Sequence, residues 1–233
     1  MSGGISQTGF DNAATMTNTS LAPAISDLGD SESANIPMRT FNMYYTTFRL
    51  SATIHMGDSS SLPLYFLESS VFTTSPSLYL RRGGKKSSPM VSFVKARWTS
   101  RQLILGLGDC TTGGNEGAQA WDTLSREKSN FRRSDYHVTV LSRDGSKGMR
   151  SLTWQKDKSK RFRTVYACLD ENGQVVGRLR SGGMFNWKKA GEIDLAETLG
   201  ESDTELLLAA AGGIWGVEAM NYQTWLSGGL GEK

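Results

Sequence analysis

Residues 202–226 read SDTELLLAAAGGIWGVEAMNYQTWL, and the fold turns on how that stretch is buried. Ser202-Asp203-Thr204-Glu205 has the spacing of a capping box, so a helix is expected over about 203–226. From Leu206 to Val217 no charged residue occurs on any face, and a helix that is apolar all round has to be enclosed by protein or by lipid. That apolar stretch is too short to span a bilayer, and Glu218 follows at once, so enclosure by the chain's own strands is expected. Gly212, Gly213 and Gly216 suit such a helix, because a missing Cβ lets strands approach the axis at a propensity cost of about 1 kcal/mol each. The same glycines could line a contact between membrane helices, a reading the short span disfavours. Trp215 and Trp225 are assigned to core and barrel-mouth packing.

The strands that would do the enclosing begin near Phe41. Short runs rich in Tyr, Phe, Val, Ile, Thr and Leu alternate with turn clusters every 8 to 12 residues, the spacing of an all-β sandwich or barrel. Strands are expected at 40–46, 47–55, 62–68, 77–81, 90–97, 101–107, 121–125, 135–141, 150–155, 162–169, 174–179 and 191–195. Two connections carry tight-hairpin dipeptides: Asp-Gly in Arg143-Asp144-Gly145-Ser146 and Asn-Gly in Glu171-Asn172-Gly173-Gln174. Tyr136, Val138 and Val140 share one face of their strand, which marks a core side. The run 163–169 is more evenly apolar on its two faces, as in a strand covered on both sides or crossing a barrel wall. The expected fold is mainly β: roughly twelve antiparallel strands closed into a barrel around a central apolar C-terminal helix.

Length and composition agree with one domain. The 233 residues can bury a full core, and 26 glycines with 38% hydrophobic residues indicate many turns rather than a helical bundle. Residues 1–38 lack aromatic texture and periodicity, so they are read as a disordered tail, followed by the barrel domain over 39–228 and a short tail, 229–233. The first 38 residues carry four acidic groups, Asp11, Asp27, Asp30 and Glu32, and no Lys or Arg. With a chain total of +3, the remainder is +7. A basic body attracts phosphate or anionic lipid, although excess surface lysine more often serves solubility. Two cysteines, Cys110 and Cys168, form neither a disulfide framework nor a metal cluster, which suits a reducing compartment. The opening MSGGISQTGF lacks a signal-peptide pattern and a second-position glycine, and GGLGEK lacks a prenylation cysteine. A cytoplasmic chain with at most peripheral membrane contact is therefore expected. The triplet Asn18-Thr19-Ser20 fits a glycosylation acceptor that has no meaning in the cytosol.

An antiparallel barrel with an apolar helix arriving last resembles the tubby C-terminal-like superfamily, which includes tubby proteins, phospholipid scramblases and LURP-one-related proteins. The segment LPLYFLESSVFTTSPSLYLRRGGKKSSPMVSFVKARW, residues 62–98, is similar to the opening strands of uncharacterised fungal members. FRRSDYHVTV, RSLTWQKDK and FRTVYACLDENGQVVGRLR are similar to their middle strands. The resemblance covers about 40–226 and implies a tubby-like barrel with a phosphoinositide-binding role. It carries over no catalytic residue set and no phosphoinositide-binding residues.

Catalytic motifs are missing from the sequence. Gly106-Leu107-Gly108 starts a G-x-G-x-x-G pattern, but Thr111 replaces the third glycine and no helix is expected after it. No P-loop, G-x-S-x-G or H-E-x-x-H occurs. His55 and His137 stand far apart on expected strands and are assigned to the sheet rather than to metal or proton transfer. Glu192 and Asp194 share a strand face as solvated carboxylates would. Cys110, beside Asp109, has no identifiable base. No enzyme activity, metal or cofactor is expected.

Two basic runs remain. Arg81, Arg82, Lys85 and Lys86 form an RRGGKK hairpin tip able to grip phosphate through side chains and glycine amides. Lys156, Lys158, Lys160 and Arg161, with Arg163 beyond them, follow Trp154. The first expectation is a peripheral module for anionic lipid or phosphoinositide, strengthened if both runs meet on one face. The alternative is a protein-interaction or scaffold domain whose 1–38 tail or edge strand binds a partner. Nucleic acid is disfavoured because Trp98 and Trp154, the aromatics interleaved with the basic runs, are assigned to the sheet. Scramblase-like transport lacks a transmembrane segment. A monomer is expected.

Overall fold

A computed structural model describes residues 36–46, 51–70, 77–97, 102–109, 118–126, 135–141, 149–157, 164–182 and 188–228. Among these residues the order is β1 (Met38–Tyr45), β2 (Ser51–Met56), β3 (Pro63–Ser70), β4 (Ser77–Arg82), β5 (Met90–Arg97), β6 (Gln102–Gly108), β7 (Ala118–Arg126), β8 (Tyr136–Leu141), β9 (Met149–Lys156), β10 (Val165–Leu169), β11 (Val175–Ser181), β12 (Lys189–Ala196) and α1 (Glu201–Gly228). Each strand pairs antiparallel with its sequence neighbours, and β1 pairs with both β2 and β12, so the hydrogen-bonded order returns to its start as a closed barrel. Closure gives every described strand two hydrogen-bonded neighbours. Between β7 and β8 the ladder is short, with Ser125 opposite His137 and Arg126 opposite Tyr136.

The barrel interior follows from period-2 alternation. Phe41 and Met43 on β1, Leu78 and Leu80 on β4, and Ile193 and Leu195 on β12 point to one side and are buried. Helix α1 meets that same inner surface. Every residue from Thr204 to Trp215 is buried, so no face of this part of the helix reaches solvent. The glycines are where the wall comes closest: a Cβ on Gly212 would stand 3.1 Å from Leu67 Cδ1, and one on Gly213 would stand 3.0 Å from Val94 Cγ1. Trp215 packs against Tyr45, with ring centroids 5.8 Å apart. Trp225 and the segments 1–35, 142–148 and 229–233, which include most of the expected tail and the Asp144-Gly145 turn, lie outside the described residues or side chains.

Two local expectations are corrected. The helix starts at Glu201, and the Gly200 carbonyl accepts from both the Thr204 amide and its hydroxyl, each at 2.9 Å. Ser202 therefore lies within the first turn rather than at the cap. The β10–β11 connection is not a two-residue turn: Asp170 N donates to Gln174 O at 2.9 Å, leaving three residues in the loop, with Gly173 at φ +76°. The Asp170 carboxylate accepts from the amides of Asn172 and Gln174, which fixes this wider turn.

Candidate anionic-surface site

In an up-and-down barrel, alternate connections emerge at opposite ends. The β2–β3 and β4–β5 connections share the end at which α1 begins, whereas β9–β10 emerges at the other. The β4–β5 tip and Lys156, the described member of the second run, therefore lie at opposite ends. The helix measures the separation: Arg82 holds Glu205 near its start, and Lys156 holds Glu218 thirteen residues later, about 20 Å along the axis.

At the first end, Arg82 continues the inward phase of Leu78 and Leu80 on β4. Its guanidinium donates to Glu205 Oε1 from Nε at 3.0 Å and from Nη2 at 2.7 Å, and Nη2 lies 3.0 Å from Glu201. Burial pushes the Glu205 carboxyl above the usual range, although hydrogen bonds from Arg82 and Tyr65 pull against it. Burial, followed by the charge of Glu205, also raises the Tyr65 phenol to about 12. Ser92 Oγ donates to the Glu205 carbonyl at 3.2 Å from the β5 wall. Arg82 is thus a peg between barrel and helix.

Arg81 faces outward and donates to Glu68 at 3.0 Å and to the Ser88 carbonyl at 3.0 Å. Lys86 reaches the other Glu68 oxygen at 2.8 Å while its side chain stays 77% exposed. Burial would raise the Glu68 carboxyl, but the bonds from Lys86 and Arg81 outweigh it and hold the group below its usual range. Lys85, exposed at the tip, has no counter-ion among the described residues. The four-residue basic tip resolves into two structural arginines, one partly paired lysine and one free lysine.

Lys156 also breaks the surface reading. It shares the inward phase of Leu152 and Trp154 on β9, and its ammonium donates to Glu218 Oε2 at 2.8 Å. Tyr166 donates to Glu218 Oε1 at 2.9 Å. Lys158, Lys160 and Arg161 lie outside the described residues.

The end with the β4–β5 tip carries a feature absent from the charge pattern. Leu62 is 88% exposed, Met56 51% and Leu64 39%. These residues flank the β2–β3 connection, and that connection is joined to the basic tip: Gly83 N donates to Leu64 O at 2.6 Å, and a Cβ on Gly84 would overlap the Pro63 ring. The signal was present in LPLYF, but taking Leu62 as the first strand residue hid it, because β3 begins at Pro63.

Other candidates have structural explanations. In its neutral tautomer His55 donates from Nδ1 to Ser61 O at 2.8 Å and accepts from Thr53 Oγ1 at Nε2, 2.9 Å away, with Tyr44 edge-on to its ring. His137 Nδ1 lies 3.0 Å from Thr153 Oγ1. Asp194 is buried on the outer wall rather than freely solvated: Arg180 donates to it at 2.7 Å and Thr40 at 2.8 Å. Arg180 also meets Glu192 at 3.1 Å, and Lys189 pairs with Glu192. Gly106 lies within β6, opposite Phe93, whose ring fills the place of a Cβ. Cys168 is fully buried, and burial pushes its thiol far above its ordinary value. Cys110 lies outside the described residues. No group of three or more potential ligands for a metal occurs among the described residues, and none of their helices is long and apolar enough to cross a membrane.

No family model, curated protein or solved structure matches this chain.

Proposed function

We propose that this domain is a non-enzymatic, tubby-like module that associates peripherally with anionic membrane surfaces through the β4–β5 tip. The observation that carries the reading is Lys85: an exposed ammonium on a glycine-containing turn, without a counter-ion among the described residues, beside the exposed Lys86. Arg81 and Arg82 hold the tip to Glu68 and to the helix, so lipid headgroups meet the two lysines. Each cation near an anionic surface contributes about 1 kcal/mol. The Lys86–Glu68 pair, being largely exposed on the lysine side, exchanges readily for a phosphate partner. Vesicle flotation with and without phosphatidylserine tests this. Changing Lys85 and Lys86 to Glu is expected to weaken binding at least about 30-fold. Equal flotation of wild type and the double variant would overturn it.

A further inference from the structure

We infer that Leu62, Leu64 and Met56 form an apolar wedge that inserts into the membrane beside the lysines, so that the barrel docks end-on. The inference rests on the anionic-surface reading above and adds the element that makes it sufficient. Two lysines alone supply about 30-fold of attraction, and salt screens it. Stable peripheral attachment takes two signals, one of them buried apolar area.

The geometry puts both signals on one surface. Pro63 and Leu64 touch Gly83 and Gly84 directly, and Leu62 and Lys85 are the next residue along from each contact. Leu62 projects nearly all of its side chain into solvent within the β2–β3 connection, and Met56 at the end of β2 and Leu64 at the start of β3 are the exposed apolar residues that flank it. Scattered exposed leucines need no explanation, but these three are the exposed large hydrophobics of the described residues, and they share one connection.

Most acidic groups around the tip are bonded, although Glu197, exposed where β12 leads into α1, shares this end. Asp58, in the β2–β3 connection, accepts from Ser60 Oγ at 2.5 Å and from the amides of Ser60 and Ser61 at 3.0 and 3.2 Å. Glu201 and Glu205 face Arg82, and Glu68 faces Arg81 and Lys86. Lys85 is the cation next to the apolar group that has no counter-ion among the described residues, and the Asp58 carboxylate is held within its own turn by Ser60 and Ser61. A membrane interface offers both complements, hydrocarbon for the wedge and phosphate for the ammonium. A protein groove is the competing occupant, and the test separates it.

The experiment is flotation with phosphatidylcholine vesicles, with and without phosphatidylserine, at low and high salt. It compares wild type, Leu62→Ser/Leu64→Ser and Lys85→Glu, with thermal melts to show that these exposed changes leave the fold intact. Wild type is expected to keep a salt-resistant fraction on anionic vesicles. Leu62→Ser/Leu64→Ser loses it, weakening on the order of tenfold per leucine. Lys85→Glu loses the salt-sensitive part. If the serine variant binds as wild type at both salts while Lys85→Glu is weakened, insertion is overturned and the charge reading stands. If wild type binds neither vesicle, the membrane reading falls as a whole, and crosslinking of residue 62 to a protein would then assign the wedge to that partner.

Discussion

Gly213→Ala and Gly216→Ala make the same chemical change one turn apart and should move stability in opposite directions. On an exposed helix each would stabilise by about 1 kcal/mol, the propensity difference between glycine and alanine. Within the barrel the outcome depends on the wall. At Gly216 a Cβ meets only Leu78 Cδ1 at 3.8 Å, an ordinary contact, so the full gain of about 1 kcal/mol is expected. At Gly213 it would stand 3.0 Å from Val94 Cγ1 and 3.3 Å from Leu103 Cδ1, both anchored in strands. Overpacking of one methyl costs about 1–3 kcal/mol, which after the propensity gain leaves a loss of about 1 kcal/mol. The two variants should therefore differ by roughly 2 kcal/mol, or about 4–8 °C in Tm for a domain of this size. Thermal and urea unfolding followed by circular dichroism measures the difference. Equal stabilisation by both changes would refute the close approach of β5 and β6 to the helix.

Arg82→Ala should cost about 2 kcal/mol, because Glu205 would be left buried with its principal partner gone; the half-exposed arginine keeps the loss below that of a fully buried pair. Lys85→Ala should stay within about 0.5 kcal/mol of wild type in the same urea titration, since it removes no contact. A pH series checks Glu68, whose folded-state carboxyl lies below the ordinary 4.5. Its contribution is present above that value and disappears as pH falls through the lowered one. Glu68→Gln should thus be less stable at pH 7, with the gap to wild type closing on acidification. A gap that widens in acid would contradict the pairing with Arg81 and Lys86.

The architecture was readable because two periods dominate this sequence. Each of the twelve expected strands overlaps an observed one, and the unbroken apolar run from Leu206 implies a helix with nowhere to go but inward. The site was harder, because charge was read without phase. Leu78, Leu80 and Arg82 alternate on one side of β4, and Leu152, Trp154 and Lys156 on one side of β9. That alternation already pointed two cations at the barrel interior, where each meets a helix glutamate. Counting connections around the meander would likewise have placed 81–86 and Lys156 at opposite ends. The pairing of Lys86 with Glu68 and the contact of Pro63 with Gly84 could not be read from sequence, because both depend on the register between β3 and β4 and on how the two connections fold back.

Hydrogen exchange of the full chain, free and bound to phosphatidylserine-containing vesicles, addresses the working surface most directly. Added protection is predicted at 56–64 and 83–89, with Lys156 and Asp157 at the opposite end unchanged. Protection confined to the opposite end, around Lys156 and Glu218, would contradict the assignment of the lysine tip and its leucines as the membrane-facing end.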